Sequence, residues 1–359
     1  MKILILKRDK IGDMLLMTPM LAHLRRALPD AEIHLLANDY NAWVIQDDPN
    51  IDKLWIYPRV KLGDEVRPFA VFKQLWQLLA LRAQRYDVAI AGGGVVSPRA
   101  IKRVLKLGAK RTVAYCEGLD LCAQLTDPLP FPKQVHEVEL NLRLLAPLGV
   151  KPPAQPDLPV YRLPEQWQRD ASNWLAREGL QPGRYIVLGL NARRAKRKPT
   201  EAQVFRWSKH FKEVWGLDTV FAWMPGPADS KLYPGDDDLV QPILAKKPDY
   251  MHPFAYSDSV MPLLGLVWNA KLSIFPDGGL AHLAAASPGG ALAFFADTTV
   301  SPHPVQWGPR GHNVAYLEAD KSVEELSDAA IYEVVERLIA NSTISANTNT
   351  DSGSDRYTS

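Results

Sequence analysis

The sequence predicts an α/β protein built as two doubly wound halves, each a parallel sheet with helices on its faces. Short apolar runs alternate with segments of helical periodicity along most of the chain, the pattern of a parallel sheet covered on both sides. A proline-rich stretch with Pro152, Pro153, Pro156, Pro159 and Pro164 interrupts the alternation near the middle. At 359 residues the chain also exceeds the roughly 250–300 residues at which a single core stops growing.

Lys2 to Lys7 reads as the first buried strand. Gly12 then turns the chain into a helical pattern carried by Met14, Leu15, Met20, Leu21, Leu24 and Leu28, which Pro19 must bend or interrupt near its start. Strands follow at Glu32 to Ala37 and Leu54 to Tyr57, and a helix at Val71 to Ala83. Asp87 to Ala91 is a strand ending in Gly92-Gly93-Gly94; a helix at Pro98 to Leu107 and a strand at Thr112 to Cys116 complete the first half. The second half predicts strands at Tyr185–Gly189, Thr219–Met224, Leu272–Phe275 and Ala291–Phe295. Its helices are expected at Glu201–Trp215, Ser257–Trp268, Leu280–Ala286 and, closing the fold, Val323–Ala340. The organisation read from this is a first domain over 1–150, a proline-rich linker region over 151–183 and a second domain over 184–340. A polar tail over 341–359, rich in Ser, Thr, Asn and Asp, is expected to be disordered.

With 47% hydrophobic and 23% charged residues the composition is that of a globular protein, and a net charge of +2 does not call for a nucleic-acid partner. The cations are clustered: Lys7, Arg8 and Lys10 at the first strand's exit, Arg99, Lys102, Arg103, Lys106, Lys110 and Arg111 further on, and Arg193, Arg194, Lys196, Arg197 and Lys198 in the second half. The middle cluster reads equally as a solvated helix face. Cys116 and Cys122 are too few for a disulfide framework and wrongly spaced for a metal site, so reduced thiols in a cytoplasmic protein are expected. No segment reaches membrane-spanning length, and the opening strand is not a signal peptide.

Four segments lie where ligands of open parallel sheets bind, beyond the carboxyl ends of strands. Asp13 follows Gly12 at the start of the first helix; taken alone it is either an N-cap or a carboxylate poised at the rim. Phe275 to His282 joins a strand to an Ala-rich helix through Gly278-Gly279, where backbone can approach a phosphate closely. Five cations within 193–198 call for an anion such as pyrophosphate. Asp229, in the turn Pro225 to Asp229, is placed to accept hydrogen bonds from a ribose. The GxGxxG dinucleotide fingerprint is absent from the first turn.

The run Gly12-Asp13-Met14-Leu15-Leu16-Met17-Thr18-Pro19, with Leu24-Arg25 and Pro29-Asp30-Ala31, resembles the N-terminal signature of the ADP-heptose:lipopolysaccharide heptosyltransferases, glycosyltransferase family 9. Asp277 to Ala286 resembles that family's second signature, Lys196-Arg197-Lys198-Pro199 its lysine-plus-proline stretch and Trp307-Gly308-Pro309 its late tryptophan motif. The resemblance implies a GT-B fold, two Rossmann-like doubly wound domains facing across a cleft, and an inverting transfer with no bound metal or cofactor. It implies that Asp13 is the general base, that Lys196 contacts the donor phosphates with Arg194 or Lys198 as alternatives, and that Asp229 meets the nucleoside. Asp277, Gly278, Gly279, Leu280 and His282 would cradle the pyrophosphate and sugar. Lys7, Arg8 and Lys10 are the candidate acceptor contacts. The implied partners are a nucleotide-sugar donor, a lipopolysaccharide core or other glycan acceptor, and the cytoplasmic face of the inner membrane, met peripherally through the basic residues of the first half with Trp55 or Tyr57. Three features depart from the family pattern: Gly278 stands where Ser or Thr is usual, Lys198 where Trp is common, and Ser287-Pro288-Gly289-Gly290 replaces the usual turn. A related transferase with another donor or acceptor, and a catalytically weak nucleotide-sugar binding protein, are the alternative readings.

Overall fold

The structure is a computed structural model that describes residues 1–59, 61–62, 65–66, 68–230, 235–257, 260–297 and 303–342. The chain divides into two compact units. The first comprises Met1–Arg162 with the described residues 303–308; the second takes the rest from Leu163.

The first unit runs β1 (Lys2–Leu6), α1 (Ile11–Leu15), α2 (Thr18–Ala27), β2 (Glu32–Asn38), β3 (Lys53–Tyr57), a small hairpin β4 (Lys61–Leu62) and β5 (Glu65–Val66), α3 (Pro68–Ala83), β6 (Val88–Ala91), α4 (Pro98–Lys106), β7 (Arg111–Tyr115), β8 (Asp127–Leu129) and α5 (Glu137–Arg143). Its six-stranded sheet has the order β3-β2-β1-β6-β7-β8, with every pairing parallel. The central strand is apolar at each inner position because helices cover both faces: Ile3, Leu4 and Ile5 are wholly buried. The expected bent helix is two helices. Thr18 donates to the Leu15 carbonyl (2.9 Å) and Pro19 takes the first turn of α2, where its missing N–H costs nothing.

The second unit runs α6 (Glu165–Glu178), β9 (Tyr185–Gly189), α7 (Glu201–Trp215), β10 (Asp218–Trp223), α8 (Asp237–Lys246), β11 (Met251–Ala255), α9 (Met261–Asn269), β12 (Leu272–Pro276), α10 (Gly279–Ala285) and β13 (Ala291–Ala296). The short helix α11 (Pro304–Trp307) then lies in the first unit, and β14 (Val314–Ala319) and α12 (Asp328–Asn341) complete the second. The sheet order β11-β10-β9-β12-β13-β14, all parallel, repeats that of the first unit. Its core joins Trp207 and Phe211 of α7 to Phe221, Ile274 and Phe294 of the strands.

Several expectations are corrected. The 151–183 segment is not one linker. Its start is held by the first unit, where His23 Nε2 lies 2.8 Å from the Lys151 carbonyl and Val160 N donates to Thr18 Oγ1 (3.0 Å). Its end is α6, which crosses α9 so closely that a Cβ on Gly265 would lie 2.3 Å from the Trp167 carbonyl oxygen. The closing helix starts at Asp328 because Ser327 caps it, accepting from Ala330 N (3.2 Å). Cys116 and Cys122, expected as free thiols, form a disulfide: a short 3₁₀ turn over Asp120–Gln124 brings Cys122 back beside the end of β7, with the Cα atoms 5.5 Å apart. With both cysteines paired, neither is a reduced thiol that would point to a reducing compartment. The polar tail beyond Ser342 lies outside the described residues, as do residues 258–259 of the helix expected from Ser257. Among the described residues no helix is long and apolar enough to cross a membrane.

Candidate functional site

In each sheet the winding direction reverses between two strands, β1 and β6 in the first unit and β9 and β12 in the second. The loops leaving these strands open the crevice where such sheets bind ligands. Except for Asp229, which follows β10, the sequence-selected residues fall on these loops or at the starts of the helices they lead into.

In the first unit the β1–α1 loop carries Lys7, Asp9, Lys10 and Asp13. Asn38 and Asn41 clamp its backbone, Asn38 Nδ2 donating to the Arg8 carbonyl (2.7 Å) and Asn41 Nδ2 to the Asp9 carbonyl (3.3 Å). Lys7, expected as an acceptor contact, is fully buried, and its ammonium donates to Glu137 Oε1 (3.0 Å). Asp9 Oδ2 lies 3.4 Å and Asp13 Oδ1 4.0 Å from the same nitrogen. Burial opposes the Lys7 charge, but Glu137, Asp13 and Asp9 outweigh it and hold the ammonium above the ordinary lysine range. Glu137 Oε1 also accepts from Gly94 N (2.9 Å) and Asn141 Nδ2 (3.4 Å). The approach at Gly94 requires glycine: a Cβ there would lie 1.8 Å from Glu137 Oε2. Gln306 of α11 donates to the Gly94 carbonyl (2.9 Å), and His136 Nε2 lies 2.8 Å from the Gly308 carbonyl, so the returning 303–308 segment is fastened beside the same glutamate.

Asp13 is at the third position of α1. Its Oδ2 accepts from Lys10 N (3.3 Å) while Oδ1 faces Lys7. It is thus a capping residue and an exposed-edge carboxylate at once; its side chain keeps 18% of its surface open. Burial pushes its carboxyl up from the ordinary range, Lys7 opposes that, and Asp9 and Glu137 add to it. A raised carboxyl is a stronger proton acceptor, which suits a general base. Arg8 is half-buried, stacked 3.8 Å over the Tyr57 ring, and Lys10 is exposed. Tyr57, expected among exposed aromatics, is buried beneath Arg8 and accepts from Arg103 Nη2 (2.8 Å).

In the second unit a 3₁₀ turn over Ala195–Arg197 divides the cationic run, and Thr200 starts α7 by exchanging hydrogen bonds with Gln203. Arg197 turns inward: Nη1 donates to Asp277 Oδ2 (2.6 Å) and Nε to the Ala296 carbonyl (3.3 Å), both carboxylate and guanidinium side chains being 7% exposed. Lys198 meets Asp236 at 2.5 Å, and Asp236 also accepts from Asn191 Nδ2 (2.9 Å). Arg194 and Lys196 face outward, 4.0 and 3.8 Å from Asp297 with 41% and 61% of their side chains exposed. Gly278 precedes α10 without a side-chain cap, at φ 157° and ψ −177°, with Gly279 and Leu280 half-buried and His282 buried. Asp229 is exposed in the loop after β10.

The structure thus brings Asp13, Lys7 and Lys10 together, and joins Asp277 to the cationic loop through Arg197. Sequence reading missed Glu137, Gly94, Asn38, Asn41 and Asp236. Glu137 left one weak signal, an acid at the first position of an amphipathic helix; the asparagines left none.

No protein-family model and no curated protein matches the chain by sequence. Solved structures match it over nearly the whole length. A family 9 glycosyl transferase from Veillonella parvula superposes with a TM-score of 0.79 at 19% identity, over 95% of this chain and 97% of that one. The ADP-heptose lipopolysaccharide heptosyltransferase II of Escherichia coli gives 0.72 at 18%, over 95% and 99%. An Escherichia coli heptosyltransferase solved with ADP gives 0.70 at 18%, over 94% and 100%. The two parallel six-stranded sheets and these likenesses establish the GT-B fold for this chain.

Proposed function

We propose that the chain is an inverting glycosyltransferase that needs no metal, with ADP-heptose as donor and the inner core of lipopolysaccharide as acceptor. The observation that carries this reading is Asp13, a nearly enclosed carboxylate with a raised proton affinity at the switch point of the first sheet. Two further features support it: outward Arg194 and Lys196 beside the second sheet's switch point, and a fold shared with an ADP-heptose heptosyltransferase and with a heptosyltransferase solved with ADP.

The chemistry divides between the units. Asp13 removes the proton from an acceptor hydroxyl as that oxygen attacks the anomeric carbon from the face opposite the leaving group. The glycosidic C–O bond forms, the bond to the diphosphate breaks, and its electron pair leaves on the phosphate oxygen. Arg194 and Lys196 neutralise that developing charge, helped by the uncapped first turn of α10. Asp229 is the candidate nucleoside contact and Arg8 and Lys10 the candidate acceptor contacts. Lys7 is a positioning residue, since its ammonium is enclosed. A donor other than ADP-heptose is the second reading, favoured by Gly278, which offers no hydroxyl to the sugar.

The test is ADP release from ADP-heptose with chelator present, with and without a deacylated inner-core acceptor. Acceptor-dependent release supports the proposal. ADP binding without release from ADP-heptose directs the same assay to other nucleotide sugars, and no ADP binding refutes the reading.

A further inference from the structure

The strongest unused feature lies on the first unit, on helices α3 and α4, whose intervening cavity reaches the β1–α1 loop at Arg8 and Asp9. Helix α3 turns apolar side chains to solvent: Phe69, Phe72 and Trp76 are 79%, 66% and 72% exposed, and Leu75 and Leu79 are exposed beside them. Their spacing of three and four residues sets the aromatics in one stripe along the helix. Exposed apolar area of this extent marks a contact surface. Across a cavity of about 830 Å³ stands α4, lined along the cavity by Arg99, Lys102, Arg103 and Lys106, with Leu75 and Leu78 on the opposite wall. Neither helix contains an acidic residue.

We infer that the α3–α4 face docks the protein on an anionic phospholipid bilayer, the α3 aromatics entering the interface and the α4 cations meeting headgroup phosphates. The charge pattern decides the occupant. A second copy of this chain would bring two cationic α4 helices toward each other, with no acid on either helix to offset them. A bilayer supplies both an apolar phase and negative charge. The inference replaces Trp55 and Tyr57 as the aromatic anchors, since Tyr57 is buried and Trp55 is half-buried with its Nε1 turned to His34 Nδ1 (3.4 Å). It holds whether or not the chain transfers heptose.

Vesicle co-sedimentation of the full chain tests it, with phosphatidylcholine alone against phosphatidylcholine containing phosphatidylglycerol. Wild type is expected to sediment with the anionic vesicles only, and to be released by salt. Arg99→Gln/Lys102→Gln/Lys106→Gln should weaken that binding on the order of a hundredfold, from about 1 kcal/mol per cation. Phe72→Ser/Trp76→Ser should weaken it at least about tenfold, both variants keeping wild-type thermal melting. Equal binding to both vesicle types, or binding unchanged in either variant, overturns the inference. A dimer in sedimentation velocity that Phe72→Ser/Trp76→Ser dissociates also overturns it, by giving the face to a second copy.

Discussion

The two units use cations in opposite ways beside equivalent points of equivalent sheets. In the first, the cation goes inward: Lys7 is enclosed with Glu137, and the group left at the edge is the carboxylate of Asp13, held up in proton affinity by burial. In the second, the inward cations are Arg197 and Lys198, paired with Asp277 and Asp236, and the groups left outward are Arg194 and Lys196. A buried ion pair adds little net stability but fixes geometry, because breaking it strands a charge in a poor solvent. In both units the pairs therefore anchor loops, and what remains at the edge is, in the proposed function, a carboxylate to take the acceptor proton and cations to meet the donor diphosphate.

The largest expected effect breaks the first anchor. Glu137→Ala should cost about 3–5 kcal/mol in denaturant unfolding of the first unit, while Lys7→Met/Glu137→Leu should recover most of that loss. Stability equal to wild type in Glu137→Ala would mean the pair anchors nothing. In the second unit Arg197→Met, which removes the buried guanidinium facing Asp277, should cost about 3 kcal/mol. Arg194→Ala and Lys196→Ala should instead change stability by less than about 0.5 kcal/mol and weaken ADP binding about tenfold each, as loss of a charged hydrogen bond does. Calorimetric ADP titration separates the two classes; weakened binding in Arg197→Met alone would reverse the assignment of inward and outward cations.

The smaller effects concern pH. The Asp13 carboxyl is raised in the folded protein, chiefly by burial. The folded state therefore holds this proton more tightly than the unfolded chain. The stability it gives is complete below the unfolded carboxyl's titration and is lost as pH rises through the folded one. Asp13→Asn should match wild type in acid and become the more stable protein as pH approaches neutrality. The acid limb of kcat/KM should lie above the usual aspartate range, and it should move higher in Lys7→Met/Glu137→Leu, because the Lys7 cation lowers Asp13 more than Glu137 raises it. A limb at the ordinary aspartate position in both proteins would remove Asp13 from the role of base.

Much of this was legible in the sequence, and the limits have physical causes. Buried parallel strands write themselves as unbroken apolar runs, so β1, β9, β12 and β13 were readable, and with them the loops that carry Asp13 and Gly278. The Lys7–Glu137 pair was not readable, because its members stand 130 residues apart and neither motif names the other. Arg197 could not be told from Arg194, since only the 3₁₀ turn decides which faces inward. The disulfide depended on a turn too short to leave a periodic signal. The return of residues 303–308 to the first unit rests on Gln306 and Gly308, whose bonds are long in range and polar in kind.

The central claim is that the proton acceptor and the donor site are separable, one in each unit. ADP binding and acceptor-dependent ADP release, measured side by side in wild type, Asp13→Asn and Arg194→Ala/Lys196→Ala, test it most directly. The account predicts that Asp13→Asn binds ADP as wild type does while release falls on the order of a hundredfold or more, and that the double cation variant loses ADP affinity. Asp13→Asn that still transfers, or that loses ADP binding in step with activity, would contradict it.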